Sequence, residues 1–156
     1  MIVPLLTGKM DLSSLSALLS GKDTVHSTYS PERLVTHSGE VNPGDLFIAL
    51  RGKEDGYRYA KEAKEKGACA IIANRIDPSL AESTPHILTP DAKKALGVWA
   101  RTCALSAGFS RIAVTGSVGK TTLSHYLSAF LSHFYPVHAT KENENNDLGL
   151  PFTLLS

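Results

Sequence analysis

Only two cysteines, Cys69 and Cys103, occur in the 156 residues, and they stand far apart in apolar surroundings. That scarcity excludes a dense disulfide framework and any thiolate zinc spacing, and it points to core thiols in a reducing compartment. Long apolar runs are also missing. No stretch approaches the roughly 20 residues that a membrane span requires, and residues 1–19 are interrupted by Asp11 and several serines, unlike the apolar region of a secretory signal. Neither sign of charge prevails: 16 Lys and Arg against 15 Asp and Glu leave a net charge of +1, so the electrostatic footprint of a nucleic-acid binder is absent. No internal repeat or low-complexity segment interrupts the chain. The expectation is a cytoplasmic protein with no membrane or nucleic-acid partner, 42% hydrophobic and long enough to bury a core.

What is present is an ordered series of strand and helix signals. Asp11 caps a short helix in which Leu12, Leu15, Leu18 and Leu19 share a face, and Gly21 stops it. Residues 21–40 carry mixed signals and receive no assignment. Asn42-Pro43-Gly44-Asp45 is a turn, because proline sets φ at one central position and glycine supplies a positive φ at the next. A strand over 46–50, a charged helix over 57–66 ended by Gly67, and the apolar run 69–73 make one βαβ unit. The run Lys61, Glu62, Lys64, Glu65 and Lys66 reads as the solvated face of that helix. A further strand over 86–88 completes a small α/β domain spanning 1–89.

A second unit, 90–156, begins at Thr89-Pro90-Asp91, where a capping hydroxyl, a proline at the first helical position and an acid near the positive end mark a helix start. That helix gathers Ala92, Ala95, Leu96, Trp99, Ala100 and Cys103 on one face and closes near Gly108. A strand over 111–115, a glycine loop over 116–119 and a helix from 120 to about 134 follow. On the last helix Leu123, Tyr126, Leu127, Phe130, Leu131 and Phe134 recur at the helical period, while His125 and His133 lie outside the stripe and read as surface residues.

Strand, glycine turn and helix in that order form an anion site. The first helical turn leaves N–H groups unpaired, and the helix dipole adds partial positive charge there. In Gly116-Ser117-Val118-Gly119-Lys120-Thr121-Thr122 the glycines admit phosphate to the backbone, Lys120 brings charge to the β- and γ-phosphates of ATP, and the Thr121 hydroxyl holds Mg2+. The strict phosphate-loop pattern would place glycine at position 114, where this chain has Val114. A plain strand-to-helix turn with an exposed lysine is the alternative reading.

The segment Thr115-Gly116-Ser117-Val118-Gly119-Lys120-Thr121-Thr122 resembles the loop that opens the ATP-binding domain of the Mur ligases. Two more patterns agree in order: Pro43 to Leu50 with Gly52, Asp55-Gly56-Tyr57, Ala63 and Gly67-Ala68 is similar to the family's uridine-nucleotide-binding N-terminal domain, and residues 139–151 are similar to the branch that adds D-alanyl-D-alanine to UDP-N-acetylmuramoyl-tripeptide. The resemblance implies an α/β fold, with a small N-terminal domain followed by the truncated start of a P-loop (Rossmann-like) ATP-binding domain. It implies ATP-dependent amide-bond formation through an acyl phosphate, with Lys120 catalytic, Gly116, Ser117, Val118, Gly119, Lys120, Thr121 and Thr122 on ATP, and Thr121 on Mg2+. It further implies Ser38, Asn143, Asn145 and Asn146 as contacts to the substrates, UDP-N-acetylmuramoyl-peptide and D-alanyl-D-alanine. The chain departs from the family at His37-Ser38-Gly39, where Asp-Ser-Arg is usual, and at Glu142 and Glu144.

The resemblance also implies that further ATP-domain and C-terminal portions of a parent chain complete the site, so that the 156 residues alone expose apolar helix faces and do not complete ligation. Other classes remain: a non-catalytic module that binds a uridine nucleotide or a partner, and another P-loop ATPase or kinase, including a folylpolyglutamate synthetase relative. More than a hundred residues of separate α/β pattern before the loop weigh against the kinase reading.

Overall fold

The computed structural model describes residues 2–4, 12–19, 22–23, 30–52, 55–140 and 147–155. Among them, β1 (Ile2–Pro4), β2 (Lys22–Asp23), β3 (Arg33–Val35), β4 (Leu46–Ile48), β5 (Ala70–Ala73) and β6 (His86–Leu88) form one sheet in the order β1-β3-β4-β5-β6-β2. Strands β3 to β6 are parallel, with Leu46 opposite Leu34 and Ala70, and Ile72 opposite Ile48 and Ile87. The two outer strands run antiparallel. The fold is α/β, as expected. Parallel neighbours need a crossover, and α2 (Ala60–Glu65) and α3 (Pro78–Ala81) supply two of them.

The period of two along each strand decides which side every residue faces. Leu34, Leu46, Ile48, Ala70, Ile72 and Ile87 pack on one face with Leu12 and Leu15 of α1 (Leu12–Leu18), the apolar side of α4 (Ala92–Ser106), and Phe152 and Leu155 of α6 (Gly149–Leu155). Val35, Phe47, Ala49, Ile71 and Ala73 pack on the other with Ala60, Ala63 and Leu80. With both faces covered, the strands read as continuous apolar runs.

Several expectations are corrected. The helix over 57–66 is divided: a 3-10 turn, Gly56–Tyr59, precedes α2. A Cβ at Gly56 would lie 2.4 Å from the Leu50 carbonyl oxygen, so the chain passes too close there for any side chain. Strand β3 falls in the stretch that gave no clear signal. It is short, and its order comes from pairing with β1 and β4. Asp91, not Thr89, caps α4, accepting from the Lys94 amide at 3.0 Å. Thr89 is instead buried, its N–H donating to the Ala73 carbonyl at 2.9 Å.

Residues 111–115 are not a strand. A strand is defined by ladder bonds to a neighbour, and among the described residues none lies alongside. What holds the segment is local: the Arg111 guanidinium donates to the Ala104 carbonyl at 2.8 Å. Helix α5 (Lys120–Leu131) stops short of 134, in a turn where the Phe134 and Tyr135 amides both donate to the Leu131 carbonyl. Asp11, Gly21 and residues 141–146 lie outside the described residues.

Candidate phosphate-binding loop

Residues 116–119 run from an extended segment into α5 through two glycines with positive φ. Gly116 has φ 150° and Gly119 has φ 78° with ψ 2°, the left-handed conformation, at the N-cap of the helix. A Cβ at Gly119 would meet nothing within 4 Å, so glycine is needed there for its backbone angles and the space above it is open. The first helical bond runs from the Leu123 amide to the Gly119 carbonyl at 2.9 Å. The amides of 120–122 precede it and therefore sit among those that helix geometry leaves for an outside acceptor.

No acidic residue occupies the first turn of α5 to offset this partial positive charge. The Lys120 ammonium folds back and donates to the Gly116 carbonyl, which holds its charge over the loop. Ser117, Thr121 and Thr122 are exposed, and Val118 is 91% exposed. Unpaired amides, a cation and an oxygen donor thus converge on one accessible spot, which fits the tail of a nucleoside triphosphate. The Thr121 hydroxyl is a hard oxygen ligand of the type Mg2+ accepts alongside phosphate oxygens. Among the described residues no group of three or more His, Cys, Asp and Glu is placed to hold a metal.

Ser38 lies elsewhere. It is buried in a 3-10 turn, Ser38–Glu40, and its hydroxyl donates to Glu62 Oε2 of α2 at 2.6 Å, while Lys66 Nζ donates to Glu62 Oε1 at 2.7 Å. Glu62 is held below the usual carboxylate range first by the Lys66 bond and then by the Ser38 bond. This cluster shares the α2 side of the sheet, whereas α4, which leads to the loop, covers the opposite side. Asn143, Asn145 and Asn146 lie outside the described residues.

The Pro43-Gly44-Asp45 motif has a structural task that its local sequence does not display. Asp45 is buried, and Arg33 Nε and Nη2 donate to its two oxygens at 2.7 and 2.5 Å, with the Asn42 amide adding a bond at 2.7 Å. Gly67 (φ 96°) abuts Pro43, where a Cβ would come within 2.9 Å of the Pro43 Cα. Tyr57 lies under the Arg75 guanidinium, 3.8 Å from the ring centroid, and Arg75 pairs with Asp55 at 3.2 Å. Sequence reading gives Arg33 and Arg75 no role and places Glu62 on a solvated helix face, because the partners Asp45, Asp55 and Ser38 stand 12, 20 and 24 residues away.

Comparison with known proteins bears on this loop directly. The model of the Mur ligase middle domain matches residues 114–156, the stretch that contains it. The UDP-N-acetylmuramoyl-tripeptide–D-alanyl-D-alanine ligase of Synechocystis sp. is 38% identical over 123 residues, covering 78% of this chain and 27% of that protein. The chain belongs to the Mur ligase family. Its fold agrees with the structure of UDP-N-acetylmuramoylalanyl-D-glutamyl-2,6-diaminopimelate–D-alanyl-D-alanyl ligase from Acinetobacter baumannii: the TM-score is 0.84 at 28% identity, over 98% of this Mur ligase chain and 34% of that one. A MurF ligase from Thermotoga maritima, solved in complex with ADP, gives a TM-score of 0.69 at 36% identity over 78% of this chain and 28% of its own. The Mur ligase chain thus spans about a quarter to a third of the length of these relatives.

Proposed function

We propose that this Mur ligase chain supplies the ATP loop and part of the substrate-handling layer of a cytoplasmic enzyme that joins D-alanyl-D-alanine to UDP-N-acetylmuramoyl-tripeptide in peptidoglycan precursor synthesis. The observation that carries the reading is the glycine-capped start of α5, where open amides, the Lys120 ammonium and the Thr121 hydroxyl meet inside the segment matched by the family model. In this reading 1–89 is the substrate domain and 90–156 the start of the ATP domain.

The reaction needs the γ-phosphoryl group moved to the tripeptide carboxylate, giving an acyl phosphate and ADP, after which the dipeptide amine displaces phosphate and forms the amide. The loop's part is to position and to neutralise. Backbone amides of 116–122 donate to oxygens of the β- and γ-phosphates, and Lys120 leaves the Gly116 carbonyl to meet the charge that builds on the transferring group. Mg2+ bound at Thr121 would add further neutralisation of the phosphate oxygens. Ser38, Asn143, Asn145 and Asn146 belong to the same reading as substrate contacts. Ser38 already donates its proton to Glu62, so it would meet a ligand through its oxygen's remaining acceptor capacity.

The test is Lys120→Ala in the longer parent enzyme, followed by ATP-dependent release of phosphate in the presence of both substrates. Loss of about a hundredfold or more in turnover is expected, by analogy with removal of one preorganised charge-stabilising group. Unchanged turnover would refute the assignment.

A further inference from the structure

Strands β3, β4 and β5 are parallel, so the chain leaves all three at one rim of the sheet. Ser38 follows β3, the turn Gly56–Tyr59 follows β4, and Arg75 stands two residues past β5. In open α/β sheets this carboxyl rim is where small ligands settle. Tyr57 packs there against the cluster on the α2 side of the sheet, the side on which the Ser38 hydroxyl meets Glu62 of α2.

At this rim Arg75 and Tyr57 stack. The guanidinium carbon lies 3.8 Å from the centroid of the Tyr57 ring, and Nη2 donates to Asp55 Oδ2 at 3.2 Å. Their footing is fixed. A backbone bridge ties Asp55 to Arg51, and Gly56 sits against the Leu50 carbonyl, where no side chain fits. A planar guanidinium has two faces. Tyr57 takes one of them and Asp55 takes an edge, yet the Arg75 side chain is still 58% exposed, so the second face looks to solvent. Asp55 also offsets the charge of Arg75. What the rim presents is therefore a flat, weakly hydrated surface more than a free cation, and such a surface suits a planar ring better than a phosphate.

We infer that the outer face of the Arg75 guanidinium is a stacking platform for the uracil base of the nucleotide substrate. Tyr57 sets its tilt and Asp55 its rotation, so the plane is in place before the base arrives. The inference rests on the ligase reading above and names a residue that holds one part of that substrate.

Titration calorimetry on the longer parent enzyme tests it with two ligands: UDP-N-acetylmuramoyl-tripeptide, and the same molecule with 5,6-dihydrouracil in place of uracil. Dihydrouracil keeps the carbonyls and N–H of the base but loses its flat π system. The unaltered enzyme is expected to bind the uracil ligand about tenfold more tightly, the scale of one stacked base. Arg75→Ala should abolish that preference, and so should Arg75→Lys, which keeps the charge without the plane. Damage to the scaffold would weaken both ligands alike and leave their ratio intact, and Arg75→Lys carries the comparison alone if Arg75→Ala does not fold. A preference that survives in the variants would overturn the platform, as would equal binding of the two ligands by the unaltered enzyme; the ligase reading would stand in both cases. Binding of neither ligand by the unaltered enzyme would sink the ligase reading and the platform with it.

Discussion

At the scale of single residues, the Asp45–Arg33 pair shows how a motif that looks like a turn can act as a clasp. Burial opposes the charge on Asp45, yet the Arg33 hydrogen bonds, the Asn42 amide and the guanidinium charge outweigh it and hold the carboxyl below its ordinary value. A carboxylate with a depressed folded pKa stabilises the fold above the unfolded value of about 3.9, and that contribution is lost as pH falls through the folded pKa. Asp45→Asn should therefore cost about 2 kcal/mol at pH 7, less than a fully buried pair because the Arg33 side chain is 30% exposed. Urea midpoints for the two proteins should begin to converge as pH falls below about 4 and meet only below the depressed folded pKa; a gap that persists there would point to packing instead. Cys69 titrates in the opposite sense: burial pushes its thiol up to about 11, so at pH 8 it should resist iodoacetamide, and mass spectrometry of the alkylated chain would expose an error by showing rapid labelling at this position. The apolar neighbours of Cys69 were visible in sequence. The Arg33 partner of Asp45 was not, since nothing local to residues 42–45 names a donor 12 positions earlier.

At the scale of elements, α4 and α5 have the same kind of apolar stripe and opposite fates. The 3.6-residue period tells which residues share a face, and it placed both helices, but it says nothing about what the face meets. On α4 the stripe is buried against the sheet, while on α5 Leu123 is 50% exposed, Tyr126 72% and Phe130 64%, and Phe134 in the turn beyond it is 66% exposed. Leu96→Ala should destabilise the chain by about 3 kcal/mol, the usual cost of a cavity in a core, whereas Phe130→Ser should shift stability by less than about 0.5 kcal/mol. Thermal denaturation of the two variants side by side checks the contrast, and an equal loss would mean that α5 is packed after all. The same limit explains residues 111–115: β-rich composition before a glycine loop predicts a strand, but pairing is a non-local property that composition does not contain.

At the scale of the whole molecule, the parallel α/β architecture was legible because apolar runs alternated with a charged helix and with turn residues, and the loop was legible because glycines and a lysine stood at the start of a strongly periodic helix. The return of α6 to the sheet was not legible. Gly149–Leu155 follows its own local pattern, and only the three-dimensional course of the chain reveals that its partner is a helix some fifty residues earlier, as the Lys93–Asp147 pair with its separation of 54 shows. This geometry separates two ways of impairing the molecule. The loop is exposed and α5 buries nothing, so Lys120→Ala removes charge without removing packing and should leave the melting temperature within about 1 °C, a surface-substitution effect. Gly56→Ala forces a Cβ against the Leu50 carbonyl oxygen, in the crossover between β4 and β5, and should lower the melting temperature by several degrees. In the longer parent enzyme, the first variant is thus expected to lose ATP affinity in titration calorimetry while melting normally, and the second to melt early while the folded fraction retains that affinity. If Lys120→Ala melted early instead, the lysine would have to be read as part of the scaffold, and its bond to the Gly116 carbonyl as the reason for its presence.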